Sequence, residues 1–381
     1  MTHHGDDNPR DVELVILAEA RREVGAADHK ASMVLAVLGI GFGALLGGLM
    51  GTVPDLDTFI PSADPVQSFT SHRGASHSLI IQALATPLFA EPVVRLFRDL
   101  RDKRLLTYAA VYLMFATHAL IDAMTVYGTR LLWPLTDTPF GVGSTFIIDP
   151  LYTLPLLAAT LWALALNPDS RRYRRWLNGA LIVSTAYMLG TMGMQKITET
   201  KAAEWIKAQG LEPQRTLSIP TPFNVLYWRT IIIDGDRYLN LYTTVLGDSI
   251  SAYSHQRHPE LEGCLSATPT FRNLAAFTKG FYRMEESEEK IIFSDLRMGL
   301  TPQYVFRFQL AEIRNGAPHP NDIPLREPTV RDAPGDLQWL WSGILGETAV
   351  RAAEAEAYMA HTKGLADTSA SGTESAPAPC A

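Results

Sequence analysis

The residues of this chain best suited to chemistry lie in the stretch TVPDLDTFIPSADPVQSFTSHRGASHS, residues 52–78, and in two later apolar runs. Asp55 and Asp57 stand at the end of one hydrophobic segment, and His72 and His77 at the start of the next. THALID then places His118 and Asp122 four residues apart, and IID supplies Asp149. Neutral imidazoles and carboxylates together are ligands for zinc or manganese, and less so for magnesium, which prefers oxygen. The expected metal ligands are Asp57, His72, His77, His118 and Asp122, with Asp55 as a sixth ligand or an orienter. Six candidates exceed the four of a closed mononuclear site, so one or two ions are expected. Arg73 offers a charged fork for a phosphate or carboxylate, and Asp149 a group to take a proton or orient a histidine.

On a helix, the spacing of His118 and Asp122 puts both on one face, one turn apart. Taken alone, that pair reads equally well as a hydrogen bond gluing helices. Placement decides for metal. Only three of the ten histidines, His72, His77 and His118, fall between Lys30 and Thr200, and all sit at the same expected end of the apolar segments. In HRGASHS, Gly74 permits a tight turn, Ser76 can cap the next helix, and His77 would stand beside free backbone N–H groups.

Five apolar segments must position these residues: 31–53, 78–96, 105–124, 147–166 and 176–194. Each is close to the ~20 residues that cross a bilayer core of ~30 Å. Gly43, Gly47 and Gly51 recur every fourth residue of the first and give a face for close helix approach, within this chain or in a homo-oligomer. Basic residues cluster at Arg95–Arg104 and Arg171–Arg175, whereas the loops 54–77 and 125–146 hold one each, Arg73 and Arg130. The positive-inside rule then puts the N-terminus in the cytoplasm and those two loops, with the C-terminal half, outside.

Beyond residue 195 the chain changes character. VLYWRTIIID and RYLNLYTTVLG, split by Gly235-Asp236, predict a hairpin, and KIIFSDLRMGL and YVFRFQLAEI a second strand pair. TFRNLAAFTKGFYRMEESEEK and DLQWLWSGILGETAVRAAEAEAYMA read as helices. The expected fold class is therefore mainly α, a polytopic helical membrane domain followed by a small α+β domain with an antiparallel sheet. The expected divisions are a polar leader with a short amphipathic helix (1–30), the membrane domain (31–195), the external domain (196–360) and a disordered tail (361–381). A net charge of −7 and the absence of basic and aromatic interleaving argue against nucleic acid as a partner. Cys264 and Cys380 offer neither a disulfide framework nor a cysteine zinc site. His255 and His258 read as part of a solvated loop.

The motifs GTVPDLD (51–57), HRGASHS (72–78), THALIDAMTVYGTRLLWP (117–134) and IIDPLYTLPLL (147–157) resemble the bacterial YdjM-type membrane-bound metal-dependent hydrolases. The similarity continues through TPFNVLYWRTIII and SDLRMGL, and the chain departs from the family at its charged leader. The resemblance implies an inner-membrane hydrolase. With a site at the lipid interface, the expectation is metal-dependent hydrolysis of an amphiphilic, phosphoester-like substrate at the outer face, with membrane lipid around the protein. The alternative is a non-enzymatic membrane protein with a structural metal and a partner-binding C-terminal domain. A transporter ranks last, because the inner halves of the spans carry few polar groups.

Overall fold

A computed structural model describes residues 47–60, 62, 64–166, 170–329 and 335–359. The leader helix, most of the first apolar segment with Gly43, and the tail lie outside the described residues. The chain forms two compact units: Met1–Leu49 with Tyr152–Thr185, and Met50–Leu151 with Ala186–Ala381. In the first, Trp162 and Trp176 stack obliquely with ring centroids 6.2 Å apart. The second carries the site.

Its helical part begins with the last residues of α1 (47–52), which runs into a 3-10 turn, Val53–Phe59, and is followed by α2 (Pro65–Ser71). Then come a second 3-10 turn, Ala75–His77, α3 (Leu79–Leu96) and α4 (Arg104–Met124). Helices α3 and α4 form an antiparallel hairpin packed through Ala90, Val111 and Phe115. At its closed end Glu91 accepts from Arg95 (2.8 Å), Arg104 (2.6 Å) and Tyr108 (2.8 Å), so the acid pairs inside the basic cluster. At the open end stand His77 and His118. Helix α3 is capped by Ser78, whose Oγ accepts from Ile81 N, so Ser76 is left free for another task.

Among the described residues two helices are long and apolar enough to cross a membrane, α3 and the Arg98–Met124 segment that contains α4. Helix α5 (Pro150–Leu164) is apolar, but its 15 residues reach only ~22 Å. Helix α6 (Arg171–Ala208) is 38 residues long and crosses position 195 without a break. Its last turns pack Ala202, Trp205 and Ile206 on the first sheet.

The C-terminal part holds two four-stranded antiparallel sheets and a small hairpin. The first sheet has the order β1 (Arg215–Pro220), β2 (Tyr227–Asp234), β3 (Arg237–Thr244), β4 (Ile250–Gln256). The expected β2–β3 hairpin is present and turns at Gly235, whose φ of +63° suits glycine. The small hairpin pairs β7 (Gly299–Leu300) with β8 (Gln303–Tyr304). The second sheet runs β10 (Ala317–Arg326), β9 (Arg307–Arg314), β6 (Lys290–Asp295), β5 (Tyr282–Ser287).

Two expected helices are corrected. TFRNLAAFTKGFYRMEESEEK is helical only over α7 (Pro269–Phe277); after Gly280 (φ +78°) it becomes β5, with Tyr282 and Met284 turned into the core. Sheet pairing outweighs the helical propensity of the Met, Arg, Glu and Lys residues in that half. The last expected helix breaks at Gly346 (φ +84°) into α8 (Asp336–Ile344) and α9 (352–359). His255 is not in a solvated loop. It is buried on β4, 3.1 Å from the buried Glu354 of α9.

Candidate metal centre

Three backbone features bring the site together. The Val53–Phe59 turn carries Asp55 and Asp57, the Ala75–His77 turn carries Ser76 and His77, and the last turns of α4 carry His118 and Asp122. The HRGASHS bend is tighter than its glycine alone would explain. Arg73 takes the left-handed conformation (φ +60°), while Gly74 is needed because a Cβ there would stand 2.6 Å from the Ser71 carbonyl oxygen.

Asp55, His77, His118 and Asp122 each present one ligand atom, all within 4.8 Å of one another. His77 Nε2 lies 3.1 Å from Asp122 Oδ2 and 3.3 Å from Asp55 Oδ1. His118 Nε2 lies 3.5 Å from Asp122 Oδ2, 3.4 Å from Asp55 Oδ1 and 3.3 Å from His77 Nε2. A tetrahedral ion with ligand bonds of ~2.0–2.1 Å separates its ligand atoms by roughly 3.3–3.4 Å, so five of the six edges fit. Asp122 Oδ2 is buried and accepts no hydrogen bond of good geometry, although Arg73 Nε is 3.1 Å away. A buried carboxylate oxygen left without a hydrogen bond and faced by two imidazole nitrogens is what a cation would satisfy. The donor set fits a divalent metal.

Asp57 and His72 stand behind this group. His72 Nδ1 and Asp57 Oδ1 are 2.9 Å apart, and Ser76 Oγ donates to Asp57 Oδ2 at 2.6 Å. Ser76 Oγ is also 2.9 Å from His77 Nδ1. Its single proton goes to the carboxylate, so His77 Nδ1–H donates to Ser76, and loss of the other ring proton leaves an Nε2 lone pair facing the group. Ser76 therefore sets the tautomer of a fully buried histidine, whereas the sequence suggests it as a helix cap. The only signal was its place beside His77.

Hydrogen bonds from His118 and His77 hold the Asp55 carboxyl far below the usual range. Burial alone would raise Asp57 and lower His77, but hydrogen bonds from His72 and Ser76 win at Asp57, and the carboxylates of Asp122 and Asp55 win at His77. Asp57 is thus an anion, and His77 binds a proton more tightly than an ordinary histidine. Asp55 is half exposed, at 49%, whereas His77 is at 0%, so Asp55 marks the open side.

Arg73 is buried. Its guanidinium lies against Asp122, donates to Thr125 Oγ1 at 3.0 Å, and sits over the Tyr127 ring at 5.0 Å. Asp149 is not among the four clustered residues. It accepts from Leu151 N at the start of α5 and from the Tyr187 hydroxyl at 2.7 Å. A cavity of about 1110 Å³ adjoins the centre through Asp57, His72 and Ser76.

Two apolar helices long enough to cross a membrane, with a His–Asp cluster at one end and two antiparallel sheets after them, define a helical protein with a candidate metal centre. Residues 15–197, which contain every clustered residue, match the family model described as YdjM inner membrane protein. No curated protein and no solved structure matches the chain.

Proposed function

We propose that this protein is a metal-dependent hydrolase acting on a phosphoester-bearing amphiphile at the outer face of the bacterial inner membrane. The observation that carries the reading is the close gathering of Asp55, His77, His118 and Asp122. These four residues would hold one ion, zinc by donor set, with manganese the alternative. When bound, such an ion polarises a scissile oxygen and brings the pKa of a water towards ~7. The chain's own residues do the rest. Ser76 and Asp57 orient His77, and Arg73 steadies Asp122.

The turn that carries Asp55 and Asp57 also exposes Leu56, Phe59 (79%) and Ile60 (69%), apolar groups suited to a lipid interface. The reading keeps five spans, the N-terminus inside and the C-terminal domain outside, with α5 and α6 as the fourth and fifth. It also keeps the glycine stripe as a face for another helix or a second copy. Among the described residues, nothing outside its own helix lies within 4 Å of where a Cβ on Gly51 would stand.

One observation favours the alternative, a structural metal in a non-enzymatic protein: the cavity meets the centre through Asp57, His72 and Ser76 rather than through the four clustered residues. Metal analysis and turnover separate the two. Purified protein is expected to carry about one divalent ion, to lose it in His118→Ala with Asp122→Ala, and to hydrolyse phosphoester lipids until chelator is added. Unchanged metal in the double variant would remove the site. Retained metal with no turnover across a phosphoester lipid screen would leave the structural role.

A further inference from the structure

The C-terminal domain lies outside the family match, yet it is built into the surroundings of the site. Phe69 of α2 stacks on Phe306 (4.2 Å between centroids) and Phe308 (5.4 Å). Tyr127 meets Phe69 at 5.4 Å and His72 at 5.7 Å, so an unbroken run of rings joins the C-terminal domain to the loop of the metal centre. Asn273 Nδ2 donates to Thr70 Oγ1 at 2.9 Å and ties α7 to the same helix. The cavity beside the centre is accordingly shared. Met298, Phe306, Phe308 and Arg326 line it from the C-terminal domain, together with Asp57, His72 and Arg130 from the helical part.

The chemistry of that lining is particular. Arg326 is exposed at the end of β10 and lies over the Phe306 ring at 5.3 Å, with no carboxylate within 4.0 Å among the described residues. Arg130 presents a buried Nε without a hydrogen-bond partner, and its one carboxylate, Asp137, is 3.8 Å away and 81% exposed. Asp57, the acid of the lining, is already engaged by His72 and Ser76. Two cations short of anions beside an aromatic and methionine wall match a molecule with an anionic group and an apolar body.

We infer that the C-terminal domain selects the substrate, with Arg326 anchoring the anionic group of an amphiphile whose apolar part lies on Phe306, Phe308 and Met298. The inference rests on the hydrolase reading only in calling the bound molecule a substrate.

Full-length protein in phosphatidylcholine nanodiscs, treated with chelator, is titrated with dihexanoyl phosphatidic acid, dihexanoylglycerol and inorganic phosphate. Phosphatidic acid is expected to bind more tightly than either fragment. Arg326→Glu should weaken it by about tenfold or more while leaving dihexanoylglycerol unchanged, and Arg326→Lys should keep most of the affinity. Because Arg326 is exposed, neither change threatens the fold. Affinity within about twofold in Arg326→Glu overturns the inference, and so does inorganic phosphate binding as tightly as phosphatidic acid, which would assign the cations to a free anion. Arg326-dependent binding without metal-dependent turnover would end the hydrolase reading and leave the cavity assignment standing. Turnover insensitive to Arg326→Glu would do the reverse.

Discussion

At the scale of single residues, the centre depends on how His77 is held. Its Nδ1 proton has one partner, Ser76 Oγ, which is itself fixed by Asp57. Ser76→Ala is expected to weaken metal binding by roughly 10–100-fold, as loss of an orienting partner does elsewhere, measured by competition with a chromophoric chelator. An unchanged affinity would show that Ser76 does not set the tautomer. The proton on His77 competes with the metal, and its affinity lies above that of an ordinary histidine, at 6.5. Metal binding must expel that proton, so apparent affinity should climb as pH rises through and above 6.5 and level off once the free site is deprotonated. A pH-independent affinity from 6 to 9 would argue that His77 is not a ligand.

At the scale of elements, the site is the open end of a helix hairpin closed over by two 3-10 turns. The bend between His72 and His77 needs Gly74, since a Cβ there meets the Ser71 carbonyl at 2.6 Å and backbone cannot step aside. Gly74→Ala is expected to cost on the order of 1–3 kcal/mol and to lower metal content, read by thermal unfolding in detergent and by metal analysis. Normal stability and full metal loading would contradict the turn's role. Much of this level is visible in the sequence. The i, i+4 spacing of His118 and Asp122 gives a shared helix face, and the apolar runs give α3 and α4. The strand β5 is hard to see, because only Tyr282 to Glu285 alternate before a run of Glu that favours a helix, and pairing with β6 decides the conformation.

At the scale of the molecule, the helical part and the C-terminal domain share one core around Phe69, Tyr127, Phe277 and Phe308. Phe69→Ala should destabilise by about 3–5 kcal/mol and disturb the metal loop as well as the sheet. Loss of stability with no change in metal content would uncouple the two. The proposed topology is tested at Asp137, exposed on the loop after α4. Asp137→Cys should react with an impermeant maleimide in intact cells, over the background of the unsubstituted protein. Labelling only after permeabilisation would place the loop and the centre inside.

The sequence by itself determined the ligand types, the faces they occupy and the helices that carry them, because side-chain chemistry and periodicity are local properties. Tertiary structure decided which candidates meet. Asp55 joins His77, His118 and Asp122, while Asp57 and His72 stand behind them with Ser76. Arg73 is drawn inwards to Asp122, and Asp149 to Tyr187. Those outcomes depend on where two turns and one helix end come to rest, to within about 1 Å, and only packing fixes positions that closely. The sharing of one cavity between the two halves is likewise a product of non-local contacts, as residues near 70 and near 306 meet only in the folded chain.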